Sequence, residues 1–260
     1  MRLIATFALC VLVSAGAAAQ EPAIPPPSAD AAAASEPVVT WGGEVDFLTR
    51  YVWRGLPYSE GRVIWPTAWV SAHGLTATAF VNYDPNWDPT WNEYDLGLTY
   101  ERSLAKWTVA GTYTRYVYYE GDEKDATSEL IGRIAYAAGP GEIFTTHAFD
   151  VEGYRGSYYM EAGYAVEREI DSKSSISADA SIAFWSRFID RYTRDGSGYA
   201  EHIGDGTVGP LTLNVSYLRR LGTYVSVRPH LSLIRIGDAA GRRVLDPPGA
   251  VFGVAMVIGK

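Results

Sequence analysis

The chain has 260 residues, of which 47% are hydrophobic and 20% charged, and its formal net charge is -8 at pH 7. This acidity argues against nucleic acid as a partner, because nucleic-acid-binding surfaces are basic. No stretch after residue 19 reaches the roughly 18 consecutive apolar residues of a transmembrane helix, so a membrane-spanning part would have to be a β-barrel.

The N-terminal residues have the pattern of a secretory signal peptide. A basic start and an apolar run over residues 3–13 precede a small-residue cleavage site that ends at Ala19. Cleavage would remove Arg2 and change the formal charge from -8 to about -9. It would also remove Cys10, so we expect no disulfide and no thiolate metal site. Residues 20–38 are rich in Ala and Pro and are predicted to form a disordered tether.

From residue 39 to residue 260, segments of about nine to fifteen residues alternate with period two, which indicates β-strands. Twelve strands are predicted: Thr40 to Gly55, Val63 to Ala72, Leu75 to Tyr83, Asn92 to Arg102, Trp107 to Tyr119, Ser128 to Ala137, Ile143 to Val151, Ser157 to Glu167, Ser175 to Ser186, Leu211 to Leu218, Tyr224 to Ile234 and Ala250 to Gly259. An even strand number is required of an outer-membrane barrel with both termini in the periplasm.

The predicted connections alternate in length, as they do in such barrels. Short periplasmic turns are expected at 73–74, 103–106, 138–141, 168–174 and 219–223, and external loops at 56–62, 84–91, 121–127, 152–156, 187–208 and 237–249. The sequence therefore predicts an all-β, transmembrane, antiparallel up-and-down β-barrel of about 12 strands.

Aromatic residues lie near the predicted strand ends, as in the girdles of lipid-facing barrels. In the segment TRYVWRG, Tyr51 and Trp53 alternate with Arg50 and Arg54. We expect the two aromatic side chains to anchor in the headgroup layer at the outer end of the first strand, with both arginines pointing into the lumen. A secreted sandwich that uses its aromatic residues in the core or against carbohydrate is the alternative.

Two strands break the expected pattern. In the strand from Trp107, the apolar phase would place Arg115 against lipid, so we expect either a bulge near Thr114 or a position high in the headgroups. Pro66 lies inside the second strand, and because proline forfeits a ladder hydrogen bond it predicts a second bulge.

TRYVWRG and the later segments VIWPTAWVSAHG, AFVNYDPNWD, NEYDLGLTY and TSELI resemble the TorF family of porins and related Gram-negative outer-membrane barrels. Thr49, Tyr51, Arg54 and Gly55 match the family's Ser-x-Tyr-x-x-Arg-Gly element, with threonine in place of the serine. The resemblance covers most of residues 40–260 and implies passive permeation. Lys260 departs from the terminal aromatic residue that the assembly machinery reads in most such barrels.

The inward phases contain more carboxylates than cationic groups. The pore-lining candidates are Glu44, Asp46, Arg50, Arg54, Glu93, Asp95, Glu101, Glu129, Arg133, Glu161, Asp179, Arg228 and His230. Because unpaired buried charges must stay hydrated, the excess acid predicts a wet lumen that favours cations. We therefore expect a porin-like channel for small hydrophilic solutes, with outer-membrane lipids, lipopolysaccharide and the barrel-assembly machinery as partners and with no cofactor.

Three other interpretations stay open. The lumen could be filled by salt bridges, leaving a non-conducting barrel that binds a partner through the 187–208 loop. His147 lies on an apolar phase and could serve a lipid-modifying enzyme if a nucleophile lies within reach. The oxygen spacing of Asp84, Asn86 and Asp88 resembles a calcium loop, but Pro89 stands where the glycine belongs, so an acidic external loop is the simpler interpretation.

Overall fold

The computed structural model describes residues 39–59, 61–121, 123–187, 207–236 and 249–259. The predicted signal peptide (1–19) and tether (20–38) lie outside these residues, as does most of the predicted 187–208 and 237–249 loops. Within the described parts of the chain, no helix has the length and apolarity needed to cross a bilayer.

The described residues form β1 (Thr40–Leu48), β2 (Val52–Trp53), β3 (Leu56–Pro57), β4 (Val63–Ala72), β5 (Leu75–Tyr83), β6 (Trp91–Leu104), β7 (Trp107–Glu120), β8 (Glu123–Ala138), β9 (Gly141–Asp150), β10 (Tyr158–Asp171), β11 (Ser174–Ser186), β12 (Thr207–Arg220), β13 (Val225–Ile236) and β14 (Gly249–Gly259). Twelve of them close into one barrel in which sequence neighbours pair antiparallel and β1 pairs with both β4 and β14. The predicted all-β, twelve-stranded, up-and-down barrel is confirmed. β2 and β3 form a separate two-stranded sheet.

The two ends of the barrel differ in their connections. At the "turn end", β1 begins and β14 finishes, with Gly42 opposite Gly259. The turns there are short, and the left-handed backbone at His73 (φ 54°) and Gly74 (φ 79°) gives the two-residue hairpin between β4 and β5. The opposite "loop end" carries the longer connections. The predicted alternation of short and long connections is observed except at the predicted 121–127 loop, which is wrong because β7 reaches Glu120 and β8 begins at Glu123. β10 also extends to Asp171, where the prediction ended at Glu167.

The barrel is apolar outside and polar inside. Along β6, Leu96 and Leu98 are 63% and 47% exposed, whereas Asp95 and Thr99, which flank them, are only 4% and 5% exposed. The same alternation leaves large outward side chains exposed on the other strands, among them Trp41, Phe47, Trp107, Ile134, Ile143, Ile176, Ile182, Leu213, Leu233, Phe252 and Met256. This is the arrangement that the strand phases predict.

The first strand differs from its prediction. β1 ends at Leu48, and Thr49 makes the last backbone bond to β14, from its N–H to the carbonyl oxygen of Phe252 at 2.9 Å. The chain then turns inward, so Tyr51 is only 6% exposed and Trp53 is half-buried. The prediction that these two aromatic residues sit in an outer girdle is wrong. The alternation of TRYVWRG continues β1 in sequence, but the aromatic side chains gain more burial by packing inside the barrel.

Neither predicted bulge occurs, and for Arg115 the structure agrees instead with the alternative prediction, a position toward the outer end of its strand. β7 pairs with β6 and β8 without a register shift through Arg115, and β4 keeps one register with β1 and with β5 on either side of Pro66. Arg115 is accommodated near the loop end instead, where its guanidinium pairs with Glu152 and bonds the Ser128 hydroxyl. The register shifts that do occur lie between Asn82 and Tyr83 and in the pairings of β11.

Candidate functional site

Residues 51–59 form a hairpin inside the loop end of the barrel, called the inner hairpin below. Val52 pairs with Pro57 and Trp53 with Leu56, around a turn in which Arg54 (φ 50°) and Gly55 (φ 84°) are both left-handed. Such a two-residue turn matches the twist of an antiparallel pair and favours glycine at its second position. At the base, the Tyr51 N–H donates to the Ser59 hydroxyl at 2.8 Å, and the Tyr58 N–H donates to the Tyr51 carbonyl at 2.9 Å.

Apolar side chains hold the inner hairpin against opposite walls. Leu56 is fully buried, in a cluster with Ile131, Ala148, Tyr159, Ala183, Trp185 and Ile236 from β8, β9, β10, β11 and β13. Tyr51 and Val52 belong to a second cluster with Leu48, Val63, Trp65, Phe80, Ile234 and Val251. The inner hairpin therefore crosses the lumen and fills much of the loop end.

Arg54 ties the tip of the inner hairpin to the wall. Its two terminal nitrogens donate to the two carboxylate oxygens of Glu129 at 2.7 and 2.8 Å, and the Tyr116 hydroxyl donates to the same carboxylate at 3.0 Å. The side chains of Arg54 and Glu129 are 6% and 5% exposed. The guanidinium carbon also lies 4.3 Å from the ring centre of Trp53 and 4.6 Å from that of Tyr159. Bidentate geometry and stacking are the contacts that suit a buried arginine.

An acidic pair lies beside the inner hairpin on β6. Glu93 and Asp95 are each 4% exposed, and the Tyr51 hydroxyl hydrogen-bonds Glu93. Near them, the Trp65 indole N–H donates to the side-chain oxygen of Asn82 at 2.8 Å. The wall at this level is thus polar and tightly packed.

Two further charged pairs join β1 to β13 across β14, which lies between these two strands. Arg228 donates to both carboxylate oxygens of Glu44 at 2.7 and 2.8 Å, and a ring nitrogen of His230 lies 2.8 Å from Asp46. Gly253 makes room for the imidazole, because a Cβ there would lie 2.2 Å from the His230 ring nitrogen. The Glu44 and Arg228 side chains are each 16% exposed, whereas those of Asp46 and His230 are 4% and 6% exposed, so the lumen is more open around the Glu44–Arg228 pair than around Arg54.

β10 and β11 carry inward-facing acids whose hydrogen-bond partners are neutral. Asp179 accepts a hydrogen bond from the Asn214 amide at 2.8 Å, and Glu161 is hydrogen-bonded by Ser181 and Tyr159. Arg133 pairs with Glu142 rather than with either of them. Carboxylates therefore outnumber the arginines available to this part of the lumen.

The structure places most of the predicted pore-lining residues on inward-facing strand positions: Glu44, Asp46, Glu93, Asp95, Glu101, Glu129, Arg133, Glu161, Asp179, Arg228 and His230. Arg54 enters the lumen on the inner hairpin, and Arg50 precedes that hairpin and is half-exposed.

Sequence reasoning missed Glu142, because the strand was predicted to begin one residue later, and it missed the Tyr116 and Asn214 partners. Tyr116 could have been identified from the alternation of β7, in which every second side chain faces the lumen.

The two other candidate sites are the histidine on β9 and the predicted acidic loop between β5 and β6. His147 contacts the Tyr158 hydroxyl at 2.7 Å and the Thr145 hydroxyl at 3.1 Å, so these contacts supply no carboxylate to orient the ring. In the predicted acidic loop, Asp84 is buried and accepts the Asn86 N–H at 2.8 Å. Among the described residues, no group of three or more His, Cys, Asp or Glu side chains is placed to hold a metal ion.

No protein-family model matches the sequence, and no curated protein matches it. Solved outer-membrane barrels are similar in structure: the translocator domain of the autotransporter NalP from Neisseria meningitidis shares 12% identity over 85% of this chain and 86% of that one, with a TM-score of 0.44. An outer-membrane channel from Pseudomonas putida shares 9% identity over 87% and 97%, with a TM-score of 0.46. The P. putida toluene transporter TodX shares 7% identity over 87% and 89%, with a TM-score of 0.43. Similarity at this level carries no conclusion about what this chain does.

Proposed function

We propose that the chain is an outer-membrane barrel through which small hydrophilic solutes diffuse, with a preference for cations. The support for a membrane location is the inverted surface, in which exposed Leu96, Leu98 and Tyr100 alternate with buried Asp95 and Thr99. A water-soluble barrel buries its apolar set, whereas an outer-membrane barrel turns it toward lipid. In this orientation the loop end faces the outside of the cell.

The observation that carries the cation preference is the pair of luminal acids on β10 and β11 whose hydrogen-bond partners are neutral. Glu161 and Asp179 face the lumen with neutral hydrogen-bond partners, while the nearby Arg133 is engaged by Glu142. Carboxylates that are not neutralised by a partner leave a negative field in the lumen, and such a field raises the local concentration of cations.

Neutralising these two acids tests the preference. We expect Glu161→Gln with Asp179→Asn to move the reversal potential, measured in a planar bilayer under a salt gradient, toward the value for an unselective pore. Asp88→Asn is the matched control, because Asp88 is an exposed acid in a loop-end connection. An unchanged reversal potential in the double variant would remove these acids from the selectivity site.

A second candidate function is a barrel that does not conduct, and the inner hairpin favours it because that hairpin fills much of the loop end. Such a barrel would act through its external loops on a surface partner. It predicts stable insertion into a bilayer with no current from the intact chain.

Three further predictions from the sequence are proposed together with these two functions. They are membership of the TorF family, contacts with lipopolysaccharide and the barrel-assembly machinery, and the absence of enzymatic activity. For the enzyme alternative, lipid-modifying activity that disappears in His147→Ala would support it, and activity that survives would exclude His147 from the site.

A further inference from the structure

We infer that the inner hairpin is a gate, held shut by the ion pair between Arg54 and Glu129. This inference rests on the proposed function, because it names the element that regulates passage through the lumen. It begins from the connectivity of the hairpin: β2 pairs with β3 alone, and neither strand joins the barrel sheet. The hairpin can therefore leave the lumen without breaking a hydrogen bond of the barrel ladder.

The hinge about which the hairpin would move lies at one place on the barrel wall. Leu48 and Val63 are register partners in β1 and β4, so the chain leaves the barrel wall and returns to it at adjacent points. The hydrogen bonds at the base, between Tyr51 and both Tyr58 and Ser59, join residues within the hairpin. Movement about this base would carry residues 51–59 as one unit and leave the twelve barrel strands in place.

The contacts that oppose this movement are side-chain contacts. Most are apolar and non-directional, as around Leu56 and Val52. The directional contacts include the Tyr51–Glu93 hydrogen bond at the base and the bidentate pair of Arg54 with Glu129 at the tip, farthest from the hinge. Removing one member of a buried ion pair leaves the other charge buried without compensation, which strongly favours a state in which that charge reaches water. Here that state is the hairpin moved out of the lumen.

Reagent access to a covered wall residue tests the gate without requiring conduction. Ala183 is 3% exposed in the cluster around Leu56, and the only cysteine of the sequence, Cys10, lies in the predicted signal peptide. The full-length barrel carrying Ala183→Cys would be refolded into phospholipid vesicles and exposed to a charged methanethiosulfonate reagent. We expect slow modification in this parent and a rate higher by about 10-fold or more after Glu129→Gln, since loss of a buried partner is strongly destabilising.

Two further variants make the test specific. Glu44→Gln breaks a different ion pair of the lumen, in which one terminal nitrogen of Arg228 donates to both Glu44 oxygens, and it should leave the rate at residue 183 unchanged. Exchanging the charges, by Arg54→Glu with Glu129→Arg, should return the rate toward that of the parent. Equal rates in the parent, in Glu129→Gln and in Arg54→Gln would overturn the gate.

The same variants in a planar bilayer separate the gate from the channel. Faster modification together with a higher open probability in Glu129→Gln supports both. Faster modification with a silent bilayer retains a movable hairpin but contradicts the proposed diffusion of solutes and the gating of it. Steady current with an unchanged modification rate retains the channel and overturns the gate.

Discussion

Single residues inside the lumen are fitted closely to one another. Gly253 is the clearest case, because a Cβ at this position would lie 2.2 Å from the His230 ring and 3.1 Å from an Asp46 carboxylate oxygen. The absence of a side chain at Gly253 is what lets the imidazole lie against Asp46. The pair thus depends on a residue that carries no functional group of its own.

The close contact at Gly253 predicts that alanine lowers the free energy of unfolding more at this position than at a glycine with open space around it. We expect Gly253→Ala to lower the free energy of unfolding by about 1–3 kcal/mol, because the added methyl overpacks the His230 site. Gly132→Ala is the matched control: its Cβ would have no heavy atom within 4 Å, so the change should be neutral or slightly stabilising. Urea unfolding of both refolded variants in detergent micelles checks this, and equal costs would contradict the packing described around Gly253.

For single residues, the sequence predicts correctly which side chains face inward or outward within a strand, but this prediction fails beyond the end of the strand. The strand phase alone predicts that Asp95 and Glu101 face the inside. Tyr51 and Trp53 were assigned to the outside on the same reasoning, but the phase of β1 no longer applies after Leu48. The signal that could have revealed the turn is Gly55 beside Arg54, because a two-residue turn of this type requires left-handed backbone at both positions.

Among the elements, the barrel strands and the inner hairpin are distinct in how they are held. Each barrel strand is fixed by ladder hydrogen bonds on both sides, whereas the two strands of the inner hairpin pair with each other and are held to the barrel wall by side-chain contacts. Periodicity predicts the first kind of element well, since every strand must repeat the same two faces. It does not predict the second, because burial inside a lumen depends on which walls close around the segment.

The inner hairpin should therefore be dispensable for the barrel. Residues 50–61 can be replaced by Asn-Gly, because Leu48 and Val63 are already register partners and a two-residue turn would continue that register. We expect the shortened chain to refold with unchanged β-content by circular dichroism and to retain the altered electrophoretic mobility of a folded barrel. Failure to refold would show instead that the hairpin is needed to form the lumen core.

On the scale of the whole molecule, the exposed apolar surface is the feature that distinguishes a membrane barrel from a soluble one. β6 offers a matched pair of outward leucines: Leu98 lies near the middle of the strand and is 47% exposed, and Leu104 lies at its turn end and is 57% exposed. If these two positions faced water, arginine would be tolerated at both.

In a bilayer the two positions should differ with depth. We expect Leu98→Arg to cost about 2–4 kcal/mol of unfolding free energy in lipid vesicles and Leu104→Arg about 0–1 kcal/mol, because a charge costs most at the midplane. Equal costs would contradict the placement of the apolar surface across the membrane.

The most direct test of a lumen that favours cations and is narrowed by its own inner hairpin is single-channel conductance under a salt gradient. It compares the mature chain with the chain in which Asn-Gly replaces residues 50–61. We predict small currents with a cation-leaning reversal potential for the first and larger currents of the same sign for the second. A silent bilayer for both inserted chains, or an anion-leaning reversal potential, would contradict it.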